Sequence, residues 1–219
     1  SEWVEVFAVQ GLAPLRHLQS ITYPELVSPN DLVATGRNTF YATSDHGFAR
    51  GNPLQRVEDY LGLPLASVTY YDGQRGSVVA EGLRYANGIT IAPDGKTLYV
   101  AEVIARRLRV FDIGAQPGSL TERDRIAVGS GLDNLEWGDD GRLWTGAHPR
   151  PFAFLAHAAD PEALSPSHVL AIDPAGPTLE TIYLGDGSEL SGSSVATVSG
   201  RTLFIGPVFE HHLLRCQMN

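Results

Sequence analysis

The sequence predicts an all-β protein, a β-propeller of which this chain supplies about four blades. A strand, a turn and a second strand recur four times, and the units begin roughly 50 to 60 residues apart, which is the spacing of four-stranded propeller blades. A polar residue of the kind that binds metal ions opens each unit at the same phase. A β-sandwich would also contain many strands, but it would not explain that shared phase.

Each predicted unit is a hairpin with a glycine at its turn, because glycine adopts φ > 0 at little cost. In chain order, the units cover residues 30–43 with Gly36 at the turn, 87–102 with Gly95, 133–148 with Gly141 and 193–206 with Gly200. A third strand follows in several units, for example at 107–112. The whole chain, 1–219, is therefore predicted to be a single propeller portion.

Charge and hydropathy exclude some classes of partner. The 219-residue chain has a formal net charge of −9, which argues against nucleic acid, because phosphates attract clustered Lys and Arg. This charge is compatible with a divalent cation or a neutral substrate. No run of about 18 apolar residues occurs, so no membrane-spanning helix is predicted.

The shared phase has a structural meaning, because the first strand of each propeller blade lines the central channel. From three blades, one set of side chains would converge on the channel axis: Asn30, Asn87, Asp133 and Asn134. Calcium takes about six to eight oxygen ligands of this kind, and no Cys-x-x-Cys or closely spaced His pair indicates zinc. The alternative is that these residues only cap turns. Three blades in matching phase favour a metal site.

Seven motifs then occur in order along the chain. They are Pro29-Asn-Asp-Leu-Val-Ala, Tyr41-Ala-Thr-Ser-Asp-His, Asp59-Tyr-Leu-Gly-Leu, Val79-Ala-Glu-Gly, Ala86-Asn-Gly-Ile, Pro93-Asp-Gly-Lys-Thr-Leu-Tyr-Val-Ala-Glu and Gly192-Ser-Ser-Val-Ala. Together they resemble the C-terminal two-thirds of the paraoxonase/arylesterase family. That resemblance implies a six-bladed β-propeller with two calcium ions in its central tunnel, and a calcium-dependent hydrolase of lactones and aryl esters.

The resemblance also implies which residues bind the two ions. The residues that match ligands of the catalytic calcium are Asn30, Asn87, Asp133 and Asn134. Asp31 matches a ligand of the deeper, structural calcium. The adjacent residues 30 and 31 would thus serve two different ions.

Three residues are predicted to be catalytic: Asp45, Asp133 and His148. In the resembled family, Asp45 and His46 lie near the active-site end of their blade, and His148 matches a pocket histidine. Calcium would polarise the substrate carbonyl for attack by water. We expect Asp133 to act as ligand or general base, and Asp45 with His148 to form a proton-shuttling pair. A pocket histidine can also be a hydrogen-bonded wall residue.

The resemblance places the substrate pocket against three further residues, Tyr85, Phe204 and Val208, each of which could equally belong to a blade core. Residues 60–71 are predicted to form a short helix and then an outer strand. In the family this region is a lid that helps to attach some members to lipid surfaces. Here it contains a proline and few flanking basic residues, which makes it a better pocket wall than a membrane anchor.

Family members are longer than this chain, and the segment without a counterpart here holds an acidic ligand for each calcium and a histidine dyad. We therefore expect a companion N-terminal chain of the same precursor. Cys216 matches a family cysteine that pairs with one near the N-terminus, so a disulfide to that missing portion is expected, and with it secretion. Without the resemblance, a buried idle thiol is the simpler interpretation of a lone cysteine.

Two other functions fit the same fold. Gluconolactonases and strictosidine-synthase-like proteins also use six-bladed propellers, so the fold alone does not select a reaction. A non-catalytic binding module is the other alternative. The paired residues Asn30 with Asp31 and Asp133 with Asn134 favour the paraoxonase pattern.

Overall fold

The computed structural model describes residues 2–11 and 13–218 as strands β1 to β17 and two short helices joined by turns. The strands are β1 (Val4–Ala8), β2 (Arg16–Ile21), β3 (Pro29–Ala34), β4 (Phe40–Ser44), β5 (Ala66–Tyr71), β6 (Gly76–Leu83), β7 (Ala86–Ile91), β8 (Thr97–Glu102), β9 (Arg107–Ile113), β10 (Leu120–Ala127), β11 (Gly131–Trp137), β12 (Leu143–His148), β13 (Ser167–Asp173), β14 (Thr178–Gly185), β15 (Ser193–Ser199), β16 (Thr202–Pro207) and β17 (Leu214–Gln217). The helices are α1 (Leu54–Leu61) and α2 (Pro151–Ala159).

Consecutive strands pair antiparallel and form separate sheets in chain order. Three sheets have four strands each, β3–β6, β7–β10 and β11–β14, and a fourth has the three strands β15–β17. Strands β1 and β2 form a hairpin of their own. These sheets are propeller blades, and the prediction of an all-β propeller with about four blades in this chain is confirmed.

The first strands of the four blades lie side by side. The backbone N–H of Ile89 on β7 donates to Oδ2 of Asp31 on β3 over 2.9 Å. Gly88 on β7 lies against the backbone of Asp133 on β11, and Gly146 on β12 lies against the backbone of Ser194 on β15. Because these contacts join one blade to the next, residues at the start of each first strand are brought to one end of a common channel.

The apolar cores lie between successive blades. Val68 and Val100 belong to a cluster shared by the first and second blades, and Leu108 and Leu132 belong to one shared by the second and third. A further cluster joins the third blade to the fourth, where partly buried Cys216 packs against it. Each sheet thus buries its faces against its neighbours, and this burial supplies the main stabilising term.

Both helices leave the second strand of a blade at the channel end, α1 after β4 and α2 after β12. Stacked rings join them, Tyr60 to Phe152 with centroids 5.8 Å apart. Within the described part of the chain, neither helix is long and apolar enough to cross a membrane.

The predicted helix bounds within 60–71 were wrong. Helix α1 begins after Pro53 and ends where Gly62 adopts φ +58°, so that Leu63 N–H caps the carbonyl of Glu58. The segment that follows is β5, the third strand of its blade, and not the outer one. A glycine that ends a helix in the left-handed region is a local signal, and it was available in the sequence.

Candidate metal and active site

Each first strand is irregular at the position of the predicted ligands. The pairing register shifts between Pro29 and Leu32 on β3, between Ala86 and Ile89 on β7, and between Leu132 and Leu135 on β11. The skipped positions are Asn30 with Asp31, Asn87 with Gly88, and Asp133 with Asn134. Bulges of this kind release residues from the ladder and re-aim their side chains, and they are frequent beside active sites.

Two of the asparagines, Asn30 and Asn134, donate hydrogen bonds from their amide nitrogens to neighbouring side chains. Asn30 Nδ2 donates to Asp45 Oδ2 over 3.1 Å, and Asn134 Nδ2 donates to Ser194 Oγ over 2.9 Å. Asn87 Oδ1 is buried and accepts no hydrogen bond from any residue that the structure describes. An amide oxygen left unpaired in a buried place calls for a partner, and a hard cation is such a partner. The predicted donor set therefore fits calcium.

Two carboxylates of the channel, Asp31 and Asp133, lie close enough to repel each other. Burial raises the pKa of Asp31, hydrogen bonds from the backbone N–H groups of Ile89 and Leu32 lower it, and the negative charge of Asp133 raises it, so that the net pKa is above its ordinary value. A divalent cation bound near both carboxylates would offset this repulsion.

Acidic, histidine and cysteine side chains alone do not form a metal cluster here. Within residues 2–11 and 13–218, no group of three or more His, Cys, Asp or Glu side chains lies close enough together to hold a metal ion. The predicted set consists mainly of asparagines, whose amide oxygens are ligands for calcium but not for zinc.

His148 pairs with Asp133. Its Nε2–H donates to Asp133 Oδ2 over 3.1 Å, and its ring, which is fully buried, stacks on Phe154 with centroids 3.8 Å apart. The Nδ1 atom is buried and has no partner among the described residues. His148 therefore holds one oxygen of Asp133 and leaves the other, Oδ1, free for a ligand.

The predicted pairing of Asp45 with His148 was wrong. Asp45 Oδ1 accepts hydrogen bonds from Ser28 Oγ (2.6 Å) and from His46 Nδ1 (2.8 Å), while its Oδ2 accepts from Asn30. The histidine that pairs with Asp45 is therefore its neighbour His46, and His148 pairs with Asp133 instead. Sequence reasoning could not distinguish the two histidines because both lie at or just after the end of a second strand, His148 as the last residue of β12 and His46 two residues after β4.

A second acidic group joins this network from α1. His46 Nε2–H donates to Asp59 Oδ1 over 3.0 Å, so both ring nitrogens of His46 face a carboxylate. Burial lowers the pKa of His46, but the hydrogen bonds to Asp45 and Asp59 outweigh it and raise the pKa to about 9. His46 is therefore an imidazolium ion at neutral pH, which removes it as a general base.

This pKa predicts a pH-dependent contribution of His46 to stability. Because the pKa is higher in the folded chain than its ordinary 6.5, the ion stabilises the fold fully below pH 6.5 and loses that effect as the pH rises through about 9. We expect the destabilisation caused by His46→Gln, measured by urea unfolding, to shrink by about 1–3 kcal/mol between pH 6 and pH 10. His211→Gln, at an exposed histidine, is the control. A destabilisation that does not change with pH would contradict the prediction.

Of the three predicted pocket residues, Tyr85 lies nearest the site. Its ring meets His46 with centroids 4.8 Å apart, and it adopts φ +59°, which is strained for a bulky residue and typical of functional sites. Phe204 lies within β16 opposite Thr197, and Val208 follows that strand, its N–H donating to the carbonyl of Gly192. Their part in a substrate pocket stays a prediction.

Sequence reasoning missed the aromatic layer over His148. Phe154 on α2 stacks on His148 and lies 6.1 Å from Phe209, centroid to centroid. The stretch Pro151-Phe-Ala-Phe-Leu-Ala, which begins three residues after His148, is an apolar helix with proline at its first turn, and this local signal would have located the layer.

Comparison with known proteins gives a consistent result. A family model described as arylesterase matches residues 1–218. The chain is 38% identical to rat serum paraoxonase/arylesterase 2 over 96% of its length, 39% identical to mouse serum paraoxonase/arylesterase 1 over 100%, and 38% identical to the human paraoxonase/arylesterase 1 over 98%. It covers 60%, 61% and 61% of those proteins, so it spans about three fifths of the relatives it matches.

Solved structures agree on the fold. A gluconolactonase of Xanthomonas campestris superposes with a TM-score of 0.56 at 21% identity, covering 92% of this chain and 61% of its own. A periplasmic gluconolactonase of Pseudomonas aeruginosa gives a TM-score of 0.53 at 16% identity, with coverages of 93% and 56%. At these identities the likeness concerns the propeller architecture alone.

Proposed function

Because this chain belongs to the arylesterase family, we propose that it supplies most of the active site of a calcium-dependent hydrolase of lactones and aryl esters. One observation carries the proposal. At the bulges of three neighbouring first strands, Asn30 and Asn134 are held by their amide nitrogens and Asp133 by one carboxylate oxygen, and the buried amide oxygen of Asn87 accepts no hydrogen bond from the described residues. The family generally depends on a metal ion. Calcium, and the number of two ions, are our more specific proposal.

Two groups of residues would hold the ions. The catalytic calcium would be bound by Asn30, Asn87, Asp133 and Asn134, and the structural calcium would be bound with Asp31 as one ligand. When bound, the catalytic ion would polarise the substrate carbonyl and stabilise the negative charge that develops on its oxygen. The electrostatic support for a cation between Asp31 and Asp133 is their mutual repulsion.

The side chains of this chain have distinct tasks in the proposed reaction. Asp133 would use the oxygen that His148 does not hold, either as a ligand of the ion or as the base that accepts a proton from the attacking water. His148 would hold Asp133 in place by donating from Nε2. Asp45 would orient Asn30 in the same way. The predicted catalytic roles of His148 and Asp45 are thus better described as positioning, since His148 is hydrogen-bonded to Asp133 and Asp45 to Asn30.

Expectations about the rest of the protein also rest on family membership. We propose that a companion N-terminal segment of the same precursor completes the site, that Cys216 forms a disulfide with it, and that the protein is secreted. Cys216 is the chain's only cysteine, so a partner would have to come from outside this chain.

The test is hydrolysis of phenyl acetate and of a simple δ-lactone by the intact protein. Both activities should disappear when a chelator removes calcium and should return when calcium, but not magnesium, is added, because magnesium demands a smaller and more regular coordination shell. Activity that survives complete chelation would overturn the calcium mechanism. Calcium binding without hydrolysis of either substrate would favour a binding module, and cleavage of sugar lactones alone would favour the gluconolactonase-like alternative.

A further inference from the structure

A carboxylate from helix α1 is buried against the mouth of the first blade. Asp59 Oδ1 accepts a hydrogen bond from His46 Nε2 over 3.0 Å, and the two residues are 9% and 7% exposed. Asp59 is the first residue of the motif Asp59-Tyr-Leu-Gly-Leu, one of the seven that resemble the family. Neither that resemblance nor the proposed mechanism gives Asp59 a role. A carboxylate at such a buried position is retained at an energetic cost unless it has a partner.

The contacts of Asp59 continue as far as the metal site. His46 Nδ1–H donates to Asp45 Oδ1 over 2.8 Å, and Asp45 Oδ2 accepts from Asn30 Nδ2 over 3.1 Å. Four side chains thus form a continuous hydrogen-bonded chain from α1 to the bulge of β3. Ser28 Oγ, which donates to Asp45 over 2.6 Å, fixes the middle of this chain from a third direction.

We propose that Asp59 is a positioning residue for Asn30, acting through His46 and Asp45 to keep the Asn30 amide oxygen directed at the catalytic ion. This inference rests on the proposed function, in which Asn30 is a ligand. Asn30 itself is exposed at the channel mouth, so packing does not fix the orientation of its amide. The hydrogen bond to Asp45 is the interaction that does.

Asp59 does not touch the Asn30–Asp45 hydrogen bond, but it affects that bond through the charge of His46. A neutral imidazole has one N–H, and it could serve only one of the two carboxylates. With a carboxylate at each nitrogen, the ring is held as a cation and donates to both. Charge-assisted hydrogen bonds are roughly twice as strong as neutral ones, so Asp45 is held firmly in the orientation in which its second oxygen faces Asn30.

Helix α1 also offers a matched control. Glu58, the preceding residue, is buried as well, and its carboxylate accepts hydrogen bonds from the backbone N–H of Gly47 at 3.1 and 3.2 Å. It ties the same helix to the same loop, but it makes no contact with His46 or Asp45 among its hydrogen bonds in the described residues. If these carboxylates only hold α1 in place, removing the charge of Asp59 and removing the charge of Glu58 should have equal effects on calcium binding and activity.

The experiment compares Asp59→Asn with Glu58→Gln in the intact protein, by calcium titration calorimetry, by NMR titration of the His46 ring and by steady-state kinetics with phenyl acetate. We expect Asp59→Asn to lower the pKa of His46, to weaken calcium binding about five- to tenfold and to lower kcat by a similar factor. Replacing a residue that is hydrogen-bonded directly to a metal ligand usually costs about 10- to 100-fold, and Asp59 is further from the ligand than that. Glu58→Gln should leave calcium affinity and kcat within about twofold of the unchanged protein, and it should lower the pKa of His46 less than Asp59→Asn does, because Glu58 acts on His46 through charge and not through a hydrogen bond. Asp59→Glu, which restores the carboxylate, should recover part of the loss.

A double-mutant cycle tests the route. In a protein that already carries Asn30→Ala, the change Asp59→Asn should cause no further loss of calcium affinity, because its effect passes through Asn30. If the two losses add, or if Asp59→Asn alone binds calcium as the unchanged protein does, the inference is overturned while the proposed function stands. If the unchanged protein binds no calcium, both are overturned. Should Asp59→Asn fail to fold, the same cycle is run with Asp59→Glu, where additive losses have the same meaning.

Discussion

Replacing Asp133 by asparagine should lower kcat/KM for phenyl acetate by about 100-fold or more, the lower end of what general acid–base groups contribute. Two interactions are lost together. The ring of oxygens loses its negative charge, which weakens calcium binding, and the hydrogen bond from His148 Nε2, 3.1 Å long, no longer goes to an ionised acceptor. The substitution keeps the shape of the side chain, so a loss of activity reports charge and not packing.

The control for this prediction is Asp139→Asn. Asp139 is in the turn that joins β11 to β12 and is exposed, so the change removes one negative charge from the same hairpin without touching the channel. Calcium affinity and kcat/KM should stay unchanged in it. An Asp133→Asn protein that retained full activity and calcium affinity would contradict both the ligand and the base assignment.

Replacing Gly88 by alanine should destabilise the protein by about 1–3 kcal/mol, as overpacking usually does, and should weaken calcium binding as well. A Cβ at Gly88 would lie 2.4 Å from the carbonyl oxygen of Asp133 and 2.8 Å from Asn134 Cα and from Leu135 N. All three are backbone atoms, so no rotamer change relieves the clash. The first strands of the second and third blades must separate, and the ligands on both strands move with them.

Gly176→Ala is the matched control for Gly88→Ala. Gly176 lies in the turn between β13 and β14, and a Cβ there would meet no atom within 4 Å. Urea unfolding and calcium titration of the two variants measure the two effects. If Gly88→Ala unfolds at the same urea concentration as the unchanged protein and binds calcium equally well, the close approach of β7 to β11 does not shape the site.

The sequence was most informative where the signal is local. Alternating strands and glycine-containing turns such as those at Gly95 and Gly141 predicted the hairpins, because strand pattern and turn chemistry both depend on neighbouring residues. The polar pairs at 30–31 and 133–134 predicted where each first strand meets the channel. Their recurrence at one phase predicted that they face a common channel, and their role as metal ligands stays a prediction.

The bulges were not predicted, although they lie at those same residues. A register shift in β3, β7 and β11 depends on how each first strand pairs with the second strand of its blade, and the residue types involved, Asn, Asp and Gly, are common in ordinary turns as well. The sequence therefore named candidate ligands but did not reveal the bulges at which those residues lie.

What the sequence by itself determined is the propeller, the phase of its polar residues and a set of candidate oxygen donors. What only the tertiary structure decided is which acid meets which histidine: Asp133 meets His148, and Asp45 and Asp59 share His46. These partners are up to 15 residues apart and lie on different strands or on a helix, so their meeting depends on the path of the backbone between them. Strand and turn propensities act over a few residues, whereas hydrogen bonds between side chains require positions accurate to a fraction of an ångström, and only the folded chain supplies those.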